Sequence, residues 1–213
     1  MEKQQQTEDI RAIREMMEKS TKFLSLSGLS GVVIGLVALA GAAFAWFYLL
    51  RDPAMTDYTR RQEALILLTD ALVVLAVSVG VGFIMARRKA RRIGQPLLNK
   101  ATYKILYAMA PPLVGGGVFC LIVFMWIDLR LAISATLLFY GLSLVAASQY
   151  TYGEIRWLGV TEIVLGLVSA LLLNQKGLLF WSLGFGVCHV VYGLVMYLKY
   201  DRKNDGRVDF GTE

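Results

Sequence analysis

The sequence predicts an all-α membrane protein: six transmembrane helices arranged as three antiparallel hairpins, with the N- and C-termini cytoplasmic. Three observations predict it. The 213-residue chain is 56% hydrophobic and only 18% charged, against a globular norm of about 25% charged. Apolar runs nearly free of charge recur along it, each close to the roughly 20 residues that a helix needs to cross a hydrocarbon core about 30 Å thick. Basic residues crowd alternate connecting segments and are sparse in the others. Such a composition excludes disorder and argues against an ordinary soluble fold.

The spans read as 23–50, 64–86, 105–126, 131–148, 155–173 and 178–198. Lipid cannot satisfy exposed backbone polar groups, and the apolar runs are continuous rather than alternating, so each span is a helix and not a barrel strand. Three regions follow: a cytoplasmic amphipathic helix within 1–22, a six-helix transmembrane domain over 23–198, and a polar cytoplasmic tail over 199–213.

Residues 7–22 carry Ile10, Ile13 and Met17 on one stripe, with charged residues on the rest. That helix is suited to a cytoplasmic protein partner or to the bilayer surface, and a solvated extension of the first span is the plainer alternative. The first span follows with Gly28, Gly31 and Gly35, including a GxxxG. Small residues let two helix backbones approach, so this stripe is a packing seam, either within the chain or between copies in a homo-oligomer.

The second span contains Asp70 and ends in Arg87, Arg88, Lys89, Arg91 and Arg92. Such a cluster fixes orientation and meets anionic lipid headgroups or an acidic partner surface. The third span holds Pro111 and Pro112 followed by Gly115, Gly116 and Gly117. Proline removes a donor and crowds the preceding turn. The expectation is a break in this helix, either a packed kink or a discontinuity lining a solute site.

Short turns at 127–130 and 174–177 force the third and fourth helices, and the fifth and sixth, into antiparallel neighbours. With the N-terminus inside, the inner segments hold 17 of the 22 Lys and Arg, and the outer ones only Arg51, Arg60, Arg61, Arg130 and Lys176. Trp46, Trp126 and Trp181 fall near outer ends and Trp157 near an inner end, where amphipathic indoles settle. This bias accounts for the net charge of +6, so no direct nucleic-acid binding is expected. Residues 28–37 (GLSGVVIGLV) also align with 159–168 (GVTEIVLGLV), identical at five of ten positions, and Tyr140-Gly141-Leu142 echoes Tyr192-Gly193-Leu194. These echoes raise an internal duplication, which the restricted alphabet of membrane helices also produces by chance.

Asp70, Glu162 and His189 are the ionisable residues inside spans. A rise of 1.5 Å per residue puts Glu162 about 10 Å and His189 about 14 Å from the inner ends of their helices, so the two can meet. Functionally the pair would relay a proton or help hold a cation, with Asp70 as a second acidic station. Neutral side chains serving as interhelical glue are the alternative. No catalytic residue, metal site or cofactor site is marked. Cys120 and Cys188 form no CxxC and have no His cluster nearby, and H-E-x-x-H, G-x-S-x-G and P-loop motifs are missing.

The run from Asp9 to Ser20 (DIRAIREMMEKS), then Phe23 to Gly31 (FLSLSGLSG), and Cys188 to Gly193 (CHVVYG) together resemble a family of uncharacterised bacterial six-helix inner-membrane proteins. The resemblance covers the whole chain and implies a multi-pass protein of the bacterial inner membrane with a signalling or regulatory association. It transfers no activity and no site residues. The expected function is therefore that of a regulatory or scaffold protein acting with a cytoplasmic partner. Small-solute or ion transport through the Asp/Glu/His set and the Pro/Gly break is the alternative, and intramembrane enzymatic activity a third.

Overall fold

The computed structural model describes residues 27–47, 60–92, 94, 96–172 and 176–202. The expected amphipathic helix with Ile10, Ile13 and Met17, and most of the polar tail, lie outside the described residues. The described chain forms six helices long and apolar enough to cross a membrane, the pattern of a multi-pass membrane protein. They are α1 (Gly28–Ala45), α2 (Arg60–Arg92), α3 (Lys100–Trp126), α4 (Leu129–Ala147), α5 (Glu154–Leu172) and α6 (Gly177–Asp201). Helix α2 extends beyond its apolar run at both ends, so the basic cluster through Arg92 is helical.

Local chemistry sets the ends. Asn99 and Thr102 form a reciprocal capping box that starts α3, satisfying two donors that helix geometry leaves open. Asp128 accepts from the backbone N–H groups of Arg130 and Leu131 at 2.7 and 3.3 Å, so two residues suffice to turn α3 into α4. Helix α1 is capped differently. Ser27 stands at the N-cap but makes no side-chain cap bond; the Asp201 carboxylate, arriving from the end of α6, accepts the Gly28 N–H at 2.9 Å.

Glycines decide which helices touch. A Cβ on Gly31 would come within 3.0 Å of the Gly193 Cα, and one on Gly35 within 2.7 Å of the Gly186 carbonyl oxygen. The Gly28, Gly31 and Gly35 seam is thus filled by α6 of the same chain. On the other side, a Cβ on Gly141 would approach the Gly159 carbonyl oxygen to 2.6 Å, and one on Gly166 the Ser134 carbonyl oxygen to 2.9 Å. In both pairs low numbers on one helix meet high numbers on the other, so α1 runs antiparallel to α6 and α4 to α5. Helix α6 also meets α4 and α5, α2 leans on α1, and α3 leans on α4.

The two sequence echoes coincide with these seams. Gly28 and Gly159 align in sequence, and each lies against the glycine of a Tyr-Gly-Leu segment, Gly193 and Gly141 respectively. One packing solution therefore occurs twice.

Helix α3 corrects an expectation. It is helical from Lys100 to Trp126 with Pro111 and Pro112 inside it, so the discontinuous form of the expectation does not hold, while a kink at the two missing donors is compatible with that helix. Pro111, Gly115 and Gly117 face outward, and a Cβ on Gly115 or Gly117 would meet nothing within 4 Å. Only Gly116 packs, beneath the Phe139 ring. The proposed break neither interrupts the helix nor lines a site.

Close packing at the seams predicts a sharp contrast among glycine substitutions. Gly35→Leu and Gly141→Leu should each lower stability by about 1–3 kcal/mol or more through overpacking, whereas Gly117→Leu should leave it within about 0.5 kcal/mol. Unfolding of the detergent-solubilised protein, titrated with sodium dodecyl sulfate, measures the difference.

Candidate functional site

Apart from buried serines, such as Ser134 and Ser169 bonded to each other at 2.7 Å, the polar side chains buried between the described helices gather at one point. Glu162 of α5 is 0% exposed, the largest wholly buried polar side chain of the described residues. Its carboxyl group lies against Gly184 of α6, where any Cβ would collide with Oε2, and beside the wholly buried Leu137 of α4. Glycine at 184 is therefore what makes room for the carboxylate. Neither carboxyl oxygen has a hydrogen-bond partner.

His189 stands next to it, with Nδ1 3.5 Å from Glu162 Oε1. The imidazole is held at both nitrogens. Nδ1 lies 3.0 Å from the Gly184 carbonyl oxygen; a carbonyl only accepts, so Nδ1 carries a hydrogen. Nε2 lies 2.9 Å from the Tyr140 hydroxyl of α4. Tyr140 donates to Nε2 in the neutral imidazole, and accepts from it when the ring is doubly protonated. Phe185 covers the group, its ring centroid 5.0 Å from Tyr140 and 6.0 Å from His189, and Trp181 lies 5.0 Å beyond Phe185.

Local backbone geometry makes this arrangement. Over Ser182–Cys188, α6 widens into a π-helical stretch, a form concentrated at functional sites. The Gly184 carbonyl is thereby presented to a side chain five residues on, that of His189. Glu162, His189 and Tyr140 thus join three helices in one group of adjacent ionisable side chains, with the Tyr140–His189 hydrogen bond made and Glu162 3.5 Å from the ring. Among the described residues, no three His, Cys, Asp or Glu side chains converge in a set that would hold a metal ion.

Asp70 is not part of this group. It sits on α2 opposite Gly41 of α1, half-buried, and lines an open cavity of about 420 Å³ with Phe44, Leu65, Ile66, Thr69 and Val73. Depth was readable from the sequence; the interposition of α1 and α6 was not.

A second polar assembly lies at the end of the bundle where α1 begins and α6 ends. Lys89 Nζ is 2.7 Å from Asp201 Oδ1, the carboxylate that also caps α1 and receives the Ser27 hydroxyl at 3.3 Å. The Lys89 ammonium lies 5.7 Å from the Tyr152 ring centroid, and Tyr152 stacks against Tyr200 at 4.2 Å. Burial above all, then the neighbouring Asp201 carboxylate, pushes the Tyr152 phenol up to about 12. Tyr200 donates to Glu154, which also pairs with Lys199. Lys89 therefore departs from the expectation that the whole basic cluster contacts lipid or a partner. It turns inward because Asp201 needs a counter-ion, while Arg87, Arg88, Arg91 and Arg92 stay exposed. The sequence offered no signal for this network beyond the polarity of the residues that follow span six.

Comparison of the chain with protein-family models, with curated proteins and with solved structures gives no match. The site is read from its geometry alone.

Two outcomes test that geometry. His189 is the chain's single histidine, so ¹⁵N NMR of histidine-labelled protein reports one ring, and it should show Nδ1 protonated. Tyr140→Phe should shift the Nε2 resonance, leave Nδ1 in place and cost about 1 kcal/mol of stability. At the other assembly, Asp201→Asn should cost about 2 kcal/mol, because it weakens a partly buried ion pair and the α1 cap together; thermal unfolding in detergent checks this.

Proposed function

We propose that this chain is a regulatory protein of the bacterial inner membrane, with three in-out-in hairpins, cytoplasmic termini and a soluble cytoplasmic partner, and that the Glu162–His189–Tyr140 group is its protonation-sensitive element. The observation that carries the reading is a sealed carboxyl group without a partner, beside an imidazole bonded at both nitrogens. A proton gained at Nε2 reverses the Tyr140 bond, while the Nδ1–H bond to the Gly184 carbonyl is kept.

Helix α6 links that event to the end of the bundle. Twelve residues, or about 18 Å of helix, separate His189 from Asp201, whose carboxylate holds the start of α1 and the last turns of α2. A shift of α6 would therefore be felt where residue 27 enters the bundle and where the exposed arginines of α2 lie. The same end carries Lys100, Lys104, Arg156 and Lys199 as well, which supports placing it in the cytoplasm. Exposed Trp46 and Trp126 at the opposite end, and Trp157 at this one, suit the two interfaces.

Transport of a small solute or ion remains the alternative, supported by the open groove at Asp70 and weakened by the continuity of α3.

The test is mild crosslinking in native membranes at two pH values, followed by affinity capture. The expected result is a stoichiometric soluble partner that is lost when residues 1–20 are deleted, with pH-dependent recovery that Glu162→Gln abolishes. A protein recovered alone under all conditions overturns the regulatory reading and turns attention to flux in proteoliposomes.

A further inference from the structure

We propose that the groove between α1 and α2 around Asp70 binds a lipophilic organic cation, one that reaches it laterally from the bilayer. Asp70 lies six residues into the apolar part of α2, which starts at Ala64, about 9 Å along the helix. That depth is inside the apolar run, where an ionisable residue normally has a partner. Among the described residues Asp70 has no hydrogen bond or ion pair. Thr69, its neighbour, has committed its hydroxyl hydrogen to the Leu65 carbonyl at 2.7 Å and can only accept. On its α1 side the carboxylate lies beside the buried Gly41, where a Cβ would lie 3.5 and 3.6 Å from the two oxygens and would collide with the Val74 side chain.

The walls select the chemistry of the occupant. Phe44, Leu65, Ile66 and Val73 line an open cavity of about 420 Å³, so apolar mass is accommodated and an anion is repelled. A hard inorganic cation needs several oxygen ligands, and among the described residues the side chains lining the cavity offer only those of Asp70 and Thr69. An organic cation needs one carboxylate, apolar contact and an aromatic ring such as Phe44. Headgroup amines of lipids reside at the water interface, well above this depth. Glu162 differs on each count: it is sealed, and it stands beside His189. The proposal does not depend on a cytoplasmic partner.

The experiment uses the full chain in lipid nanodiscs and a pair of ions of matched shape and opposite charge, radiolabelled tetraphenylphosphonium and tetraphenylborate. Phosphonium should bind saturably to the wild type, and borate should not. Asp70→Asn should weaken phosphonium binding by at least about tenfold, Asp70→Glu should retain it within about threefold, and Phe44→Leu should weaken it. Saturable borate binding, or equal phosphonium binding by wild type and folded Asp70→Asn, overturns the proposal. Should Asp70→Asn fail to fold, the wild-type pair of ions and Phe44→Leu decide the matter by the same criteria.

Discussion

In a hydrocarbon solvent, apolar side chains gain little by leaving lipid for one another, so helices are held by close backbone approach and by polar contacts between them. That constraint explains where this bundle spends its glycines. Gly28, Gly31 and Gly35 admit α6 to α1, and Gly141, Gly159 and Gly166 bring α4 onto α5. Once both seams are closed, α6 is fixed between α1 on one side and the α4–α5 pair on the other. Its own glycines, Gly184 and Gly186, then face Glu162 and Leu39. The buried polar group exists because the seams leave it no other place.

Position alone does not give that group its character. The π-helical stretch over Ser182–Cys188 gives the His189 ring a backbone acceptor on its own helix, which fixes the identity of the protonated nitrogen. Tyr140 holds the far side of the ring. With both nitrogens committed, His189 cannot satisfy Glu162 without giving up a bond, and the carboxyl group stays unpartnered at 3.5 Å. A structure designed only for stability would fill this space with a hydrophobic side chain. What occupies it instead is an ionisable pair, with the bond between Tyr140 and Nε2 set by the protonation state of the ring.

Much of this was legible beforehand, for identifiable reasons. Six helices follow from apolar run length, because the thickness of a bilayer is an external ruler. Glu162 and His189 fall at similar depths because helical rise is constant. Tyr140 escaped notice since an aromatic residue in an apolar span is ordinary, and only the neighbour at its hydroxyl marks it. Gly184 was equally silent: its role is to be absent where Glu162 sits. The Pro-Pro and Gly-Gly-Gly segment misled in the opposite direction. Breaker residues report what a helix loses locally, not whether the remaining ladder on both sides keeps it helical, and in α3 it does. Lys89 was read with its neighbours as one cluster, although helical spacing alone distributes them over different faces, and Asp201 draws one of them inward.

The six helices are not equally committed. Helices α1, α4, α5 and α6 share the glycine seams and the polar centre. Helix α2 is joined to them by the fit of Val74 to Gly41 and by the Lys89–Asp201 pair, and α3 by Phe139 over Gly116 and by Lys104 beside Tyr150. Most of the surface of both outer helices is apolar and faces away from the bundle. Segments with few internal contacts open at lower free energy than the core they flank. Movement of α2 would widen or narrow the Asp70 groove while the glycine seams hold Glu162 sealed. The Lys89–Asp201 pair ties that movement to the end of α6, and so to the helix that carries His189. The two acidic groups are therefore joined in two ways, through α1, which packs on both α2 and α6, and through the Lys89–Asp201 pair at the end of the bundle.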